Sequence, residues 1–153
     1  MMTNLQDITT HVTRFRQAME TLRDQTDTYA HLHYSGSNLN TFPVLWCDYT
    51  SEMLNAYLKS KGYSNFNIVT GFKLRGSRKC HVWLTNDDII IDITADQFGK
   101  RKYPKVLICQ PEQYLLKDQF RKIVSIENIT HAHHDPIQQK HNIYLELSKL
   151  LDA

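Results

Sequence analysis

Cys47, His81 and Asp92 are the residues of this chain whose types and order suit nucleophilic chemistry at a carbonyl group. A thiolate can attack the carbonyl carbon, an imidazole can take the thiol proton, and a carboxylate can hold that imidazole in one tautomer. Taken singly, each has a plainer role, because a cysteine among apolar residues is usually a small buried hydrophobe. The chemistry therefore depends on whether the fold brings the three side chains together.

Cys47 lies at or near the start of a helix predicted over residues 46–61. Unpaired backbone N–H groups and the helix dipole stabilise negative charge at this end of a helix, which favours a thiolate there. Helical spacing places the sulfur on one face with Ser51, Leu54 and Leu58. The sulfur is therefore predicted to point toward a sheet.

A predicted hairpin positions His81 and Asp92. If its turn consists of Asn86 and Asp87, His81 lies directly opposite Asp92 on one face, with Cβ atoms about 4.5–5.5 Å apart. Asp92 interrupts the apolar run of residues 89–93, where an unpaired carboxylate is costly. Two interpretations follow, a strand end at solvent or a buried partner of His81, and the register favours the partner.

The predicted elements describe an α+β fold with an antiparallel β-sheet packed against helices. Helices are predicted at residues 5–22, at 46–61 with Gly62 as its left-handed C-terminal residue, at 112–120, and from Asp135 to the C-terminus. Strands are predicted at residues 67–74, 80–85, 89–93, 106–109 and 123–129, and residues 26–44 are predicted to form a loop. The length fits a single domain of residues 1–153, divided into an N-terminal helix (1–24), a core (42–110) and a C-terminal helix (135–153).

The N-terminal helix carries one apolar stripe, from Leu5 to Leu22 at spacings of three and four. The favoured interpretation is a helix packed on its own domain. The alternative is a short coiled-coil seam with a partner chain, although the stripe is shorter than the three to four heptads expected of one.

Three features together resemble the transglutaminase-like branch of the papain-type cysteine enzymes: Cys47 at a helix start, His81-Val82-Trp83 on one strand, and Asp92-Ile93-Thr94 on the next. That branch orders its residues Cys, His, Asp, and its strand motifs often read His-Ala-Trp and Asp-Pro-Thr. The run IDITADQF at residues 91–98 also resembles small uncharacterised bacterial proteins of this type.

The resemblance covers residues 42–110 and implies a papain/transglutaminase-like core with Cys47 as nucleophile, His81 as base and Asp92 as orienting acid. It implies a peptidase, a protein-glutamine deamidase or an acyl-transferring cross-linker that acts on a protein or peptide and uses no cofactor. Some members have lost activity, so a catalytically inert scaffold that binds proteins is the alternative.

The donors of an oxyanion hole are left open by the sequence. Papain-like peptidases carry a glutamine upstream of the cysteine, whereas position 41 here is Thr. The backbone N–H of Cys47 is one candidate donor. The side-chain candidates are Asn38, Asn40 and Gln97.

Charge and composition exclude several other classes of function. The 153-residue chain has a net charge of +2 and a sequence pI of 8.4, which falls short of the basic balance of a nucleic-acid binder. It contains no run of about 18 apolar residues that could span a membrane. The N-terminus lacks a signal-peptide pattern, which predicts a cytoplasmic protein, with signal-independent export as an effector as the alternative.

The remaining cysteines and histidines are predicted to carry no chemistry. Three cysteines, an odd number, predict free thiols, and Cys80 and Cys109 are predicted to be inert core residues. A histidine-rich stretch could bind a metal, but its adjacent pair lacks ligand spacing and a loop is favoured. No metal site is predicted at its members, His131, His133, His134 and His141.

Overall fold

The computed structural model describes residues 2–34, 37–73, 80–127 and 137–152 and divides the chain into two compact units. The first unit consists of Met1–Trp46 and His131–Ala153, and the second of Cys47–Thr130. The second unit contains Cys47, His81, Asp92 and Gln97, whereas Asn38 and Asn40 belong to the first.

Helices dominate the first unit. It comprises α1 (Met2–Asp24), α2 (Thr26–Tyr29), β1 (His33–Tyr34), β2 (Ser37–Asn38), a 3₁₀ turn (Leu39–Thr41) and α4 (Ile137–Asp152). The predicted N-terminal helix is confirmed, and its apolar stripe is buried from Ile8 to Leu22, while Leu5 is exposed. Because α1 packs on α4, the stripe belongs to the core of its own unit.

The second unit is a helix packed on an antiparallel sheet. Helix α3 (Cys47–Ser60) contacts the central strands of a five-stranded sheet in the order β6-β5-β4-β3-β7. Its strands are β3 (Asn67–Phe72), β4 (Cys80–Thr85), β5 (Ile90–Asp92), β6 (Leu107–Cys109) and β7 (Lys122–Glu127). Every neighbouring pair is antiparallel, which confirms the predicted α+β class.

Helix α3 ends as its sequence predicts. Gly62 has a φ of +95°, the left-handed region that glycine enters without a Cβ clash. The N–H of Tyr63 donates to the carbonyl of Leu58 at 2.9 Å, and that of Gly62 to Lys59 at 3.0 Å. This pair of bonds is the Schellman motif, and it satisfies carbonyls that the helix end leaves open.

The helix predicted at residues 112–120 is wrong. A 3₁₀ turn (Pro111–Gln113) is followed by turns, and Tyr114 has the extended dihedrals φ −66° and ψ 120°. One hydrophobic cluster buries the side chains of Tyr114, Leu116 and Phe120, although the backbone that carries them is irregular. Tertiary packing has overridden a local helical pattern here.

That cluster covers one face of the sheet. The strand residues Val69, Trp83 and Ile90 pack with buried side chains from the segment that follows β5. These are Ala95, Tyr103, Leu107, Tyr114, Leu116 and Phe120. Since a fully buried large apolar side chain contributes about 1.5–3 kcal/mol, the segment is held to the sheet despite its few regular elements.

Gly71 makes room for this cluster beside His81, its partner in the ladder between β3 and β4. A Cβ added at Gly71 would lie 2.6 Å from Cη2 of Trp83 and 2.9 Å from the carbonyl oxygen of Phe120. Both distances are shorter than van der Waals contact, so only glycine fits at this position.

Replacing Gly71 with Ala is expected to lower the free energy of unfolding by about 1–3 kcal/mol through overpacking, as measured by urea denaturation. Trp83→Phe removes the ring atom that the new methyl would meet. The loss in the double variant should therefore be smaller than the sum of the two single losses. Additive losses would contradict the proposed clash.

Candidate functional site

Cys47 is the first residue of α3, within one residue of the predicted helix start. Its side chain is half-buried, while the adjacent Asp48 is exposed to solvent. One turn further along the same helix, the Ser51 hydroxyl lies 3.4 Å from the carbonyl oxygen of Val82 in β4. The N-terminal half of α3 is therefore tied to the strand that carries His81.

The expected register of the hairpin is wrong by two residues. Leu84 pairs with Ile91 and Thr85 with Ile90, so the loop has four residues, 86–89. The side-chain oxygen of Asn86 accepts the backbone N–H groups of Asp88 and Ile89, both at 2.8 Å, and this closes the longer loop.

A shift of two residues keeps every side chain on its predicted face, because side chains alternate with a period of two. His81 and Asp92 become diagonal neighbours instead of direct ones, a separation that longer side chains can bridge. The structure accordingly brings them together, with Nε2 of His81 2.7 Å from Oδ2 of Asp92.

Both members of this pair are removed from solvent, with 0% of His81 and 1% of Asp92 exposed. Oδ1 of Asp92 accepts the backbone N–H of Thr94 at 3.0 Å and is 3.4 Å from the Thr94 hydroxyl. Oδ2 accepts the hydroxyl of Tyr114 at 2.7 Å in addition to His81. Each carboxylate oxygen thus has a donor, which a buried charge requires.

Aromatic rings surround the imidazole of His81. The ring centroids of Trp83, Phe98 and Phe120 lie 5.8, 5.0 and 5.5 Å from its own. These rings exclude water and lower the local dielectric, which strengthens the interaction between His81 and Asp92.

The electrostatics favour a charged pair. Burial alone would lower the pKa of His81, but the charge and hydrogen bond of Asp92, with smaller contributions from Cys47, raise that pKa to about 9. Burial alone would raise the pKa of Asp92, and the charge and hydrogen bonds of His81, Thr94 and Tyr114 lower it. Imidazolium and carboxylate therefore coexist in the folded protein near neutral pH.

Cys47 also belongs to this network, because its interaction with His81 is one of the smaller causes that raise the imidazole pKa. Gln97, in the 3₁₀ turn Ala95–Phe98, places its Nε2 3.3 Å from Nδ1 of His81. One nitrogen of His81 thus meets Asp92, and the other meets the side-chain amide of Gln97.

The three side-chain candidates for an oxyanion donor fall in different units of the chain. Gln97 lies at His81, in the same unit as Cys47. Asn38 and Asn40 belong to the first unit, where the carbonyl of Asn38 accepts the indole N–H of Trp46 at 3.2 Å. Of the three, Gln97 is the one that the structure shows in contact with His81.

The prediction that Cys80 is a core residue is wrong, because Cys80 is exposed at the first position of β4. The next four residues of the strand are buried, but Cys80 lies at the strand end, where the sheet no longer covers its side chain. Partial burial, together with the charges of Cys47 and Asp48, raises its pKa. Cys109 is half-buried against the aromatic cluster, and burial and the charge of Asp92 raise its pKa.

No metal site is found among the residues that the structure describes. Of the histidine-rich stretch, His131, His133 and His134 lie outside the described residues, and His141 is exposed on α4. In the same described ranges, no helix is both long and apolar enough to cross a membrane.

The residues that hold Asp92 were not among the sequence-based candidates. Thr94 had a usable signal in the sequence, because an aspartate side chain often accepts the backbone N–H of the residue two positions on. Tyr114 had no such signal in the sequence, because it lies 22 residues from Asp92 along the chain.

Chemically, the site combines a thiol, a histidine with two engaged ring nitrogens and a carboxylate that is fully hydrogen-bonded. Such a set of side chains can take and return a proton at sulfur and can stabilise the imidazolium that results.

Comparisons with known proteins provide no relative for this arrangement: no family model matches the chain, and neither a curated protein nor a solved structure matches it significantly.

The raised pKa of His81 predicts a pH-dependent stability. The folded state holds a proton on His81 up to about pH 9, whereas the unfolded value is 6.5, so this stabilisation is complete below pH 6.5 and is lost as pH rises through 9. The free energy of unfolding should therefore fall across this window, by about 1.4 kcal/mol for each pH unit.

Chemical denaturation of the wild type and of Asp92→Asn at matched pH values measures this dependence. The variant lacks the charge that raises the His81 pKa, so its stability should vary much less between pH 6.5 and 9. Parallel curves for the two proteins would show that the pair is not charged.

Proposed function

We propose that this protein is a cysteine-dependent amide hydrolase or acyl transferase with Cys47 as nucleophile, His81 as base and Asp92 as orienting acid. The observation that carries the proposal is the buried hydrogen bond of 2.7 Å between His81 and Asp92, in a histidine whose pKa Cys47 also helps to raise. A purely structural histidine needs no thiol at a helix start beside it.

In the proposed reaction, the proton of the Cys47 thiol already rests on His81, as the raised pKa of His81 favours, and the thiolate attacks the carbonyl carbon of an amide. The backbone N–H of Cys47 and the side-chain amide of Gln97 donate to the oxyanion that forms. His81 then returns its proton to the leaving nitrogen, the C–N bond breaks, and a thioester remains on Cys47. Asp92 stabilises the imidazolium throughout without taking its proton.

The thioester is released by one of two nucleophiles. Water, deprotonated by His81, yields a carboxylate in a protease or a deamidase, whereas an amine yields a new amide in a cross-linker. We propose an amide of a protein or peptide as substrate, with a side-chain amide preferred, and no cofactor.

A papain/transglutaminase-like core is part of the same proposal. It is supported by Cys47 at the first position of a helix that packs on an antiparallel sheet, and by His81 and Asp92 on two adjacent strands of that sheet. Cys, His and Asp follow each other in the chain in the order that the resembled family uses.

A second candidate function is an inert scaffold of this fold that binds proteins. It is favoured by the full burial of His81 and by the amide nitrogen of Gln97, which lies 3.3 Å from Nδ1. In an inert protein, this contact would hold the imidazole away from the thiol.

Alkylation of the three thiols separates the two candidates. Exposure alone predicts that iodoacetamide labels Cys80 before the half-buried Cys47. The proposed enzyme predicts the reverse near pH 6, by roughly tenfold or more, because the thiolate is the reactive form and the pKa values of Cys80 and Cys109 are raised. Peptide mass spectrometry after limiting alkylation gives the three rates.

Asp92→Asn should slow the labelling of Cys47 while leaving that of Cys80 unchanged, so Cys80 is an internal control for folding and reagent. Labelling in the order of exposure, with no effect of Asp92→Asn, would favour the scaffold.

Gln97→Ala tests the proposed oxyanion donor. Loss of one such donor should lower amide turnover by about 10²–10³-fold, but alkylation by iodoacetamide forms no oxyanion and should keep its rate. If Gln97 instead blocks His81 in an inert scaffold, the same variant should label faster at Cys47 and still turn nothing over.

Turnover is measured on a glutamine-containing protein such as casein, with Cys47→Ala as the inactive control. Ammonia release alone indicates deamidation, ammonia release with incorporation of a labelled amine indicates acyl transfer, and new N-termini indicate proteolysis. No product above the Cys47→Ala control in any of the three assays would contradict the enzyme.

A further inference from the structure

Among the described residues, two buried hydroxyl groups make hydrogen bonds to the carboxylate of Asp92, those of Thr94 and Tyr114. The hydroxyl of Tyr114 comes from a distant part of the chain. It donates to Oδ2 at 2.7 Å, the same oxygen that Nε2 of His81 meets at 2.7 Å. Two donors therefore share one carboxylate oxygen in a site with 1% exposure at Asp92.

We propose that Tyr114 is a positioning residue of the site, which acts through Asp92 and limits how tightly the carboxylate holds the proton of His81. This inference rests on the proposed function for its catalytic meaning, but the link between Tyr114, Asp92 and His81 is testable without it.

The backbone around Tyr114 is arranged to deliver this hydroxyl. Tyr114 ends a 3₁₀ turn in extended conformation, and its N–H donates to the carbonyl of Pro111 at 3.3 Å. Its ring packs on Trp83 with centroids 5.1 Å apart, and Trp83 in turn contacts His81. The ring is thus held by its backbone and by its neighbour, and the hydroxyl has little freedom to leave Oδ2.

The hydroxyl remains a donor at every pH at which the protein would work. Burial raises the pKa of Tyr114 far above its usual range, and the negative charge of Asp92 raises it further. A donor that never ionises withdraws a constant part of the carboxylate charge from Oδ2. His81 accordingly faces a weaker acceptor than an Asp92 bonded by the imidazole alone.

This sharing suits a base that must also act as an acid. A carboxylate with its full charge on one oxygen would hold the imidazolium so firmly that return of the proton to a leaving group becomes slow. Thr94 holds the other oxygen, so Asp92 stays in place when the bond of Tyr114 is removed. Removal of the Tyr114 hydroxyl therefore tests charge sharing more than it tests the position of Asp92.

The chain offers a matched control in Tyr103. It is buried in the same aromatic cluster, and its hydroxyl accepts a hydrogen bond from Nε2 of Gln119 at 2.8 Å. Tyr103→Phe therefore removes one bonded, buried hydroxyl from the same core without touching Asp92.

The experiment titrates His81 by NMR of ¹⁵N- and ¹³C-labelled histidine in the wild type, Tyr114→Phe and Tyr103→Phe. Tyr114→Phe should raise the pKa of His81 by about half a unit or more, because the charge on Oδ2 is no longer shared. Tyr103→Phe should leave it unchanged. An unchanged or lowered pKa in Tyr114→Phe, or an equal shift in both variants, would overturn the proposal.

A second measurement needs no variant and so does not depend on the folding of Tyr114→Phe. In the wild type, the buried hydroxyl proton of Tyr114 should exchange slowly, and its chemical shift should change as His81 titrates. A hydroxyl signal that stays constant through the titration of His81 would overturn the link.

The rate of Cys47 alkylation as a function of pH then separates this inference from the proposed function. If Cys47 is reactive, the step in its profile that follows His81 should move upward in Tyr114→Phe with the NMR value. If Tyr114→Phe shifts the pKa of His81 but Cys47 is unreactive in the wild type, the role of Tyr114 at Asp92 is supported. The same result contradicts the proposed enzymatic function.

Discussion

The second unit depends on one buried hydrogen bond, between Nε2 of His81 and Oδ2 of Asp92. Removing two ionisable groups from water costs several kcal/mol for each ion unless every polar atom finds a partner. The fold meets this requirement with Thr94 on one carboxylate oxygen and Tyr114 with His81 on the other. Loss of any one partner leaves a buried charge incompletely compensated, so the pair constrains the residues around it.

Much of the architecture follows from keeping this pair in place and dry. The ladder between β4 and β5 pairs Leu84 and Thr85 but does not extend to His81, so side chains, and not backbones, connect His81 with Asp92. The segment after β5 is irregular instead of helical, and this conformation places aromatic rings over the imidazole. Gly71 opposite His81 leaves the space that Trp83 needs. These features serve one purpose, which is to exclude water from a charged group.

Local patterns in the sequence predict the elements well and the contacts between distant segments poorly. The helix at Cys47 and its end at Gly62 follow from residue spacing and turn chemistry. The predicted contact between His81 and Asp92 is correct although the predicted strand register is not, because a shift of two residues leaves both side chains on the same face of the sheet. The predicted burial of Cys80 rests on strand alternation alone, which cannot tell where solvent begins at a strand end. Tyr114 could not be predicted, because its role depends on tertiary packing that replaces a locally plausible helix.

A charged histidine held next to a thiol at a helix start is an arrangement that a packed core does not require, and it gives the molecule its chemical character. That character depends first on the proton between His81 and Asp92. The most direct measurement is the ¹H–¹⁵N correlation of the His81 ring in the intact protein. We expect a strongly downfield Nε2 proton that exchanges slowly with water and disappears in Asp92→Asn. A ring without such a proton, exchanging freely and titrating near the ordinary value of 6.5, would contradict the charged pair.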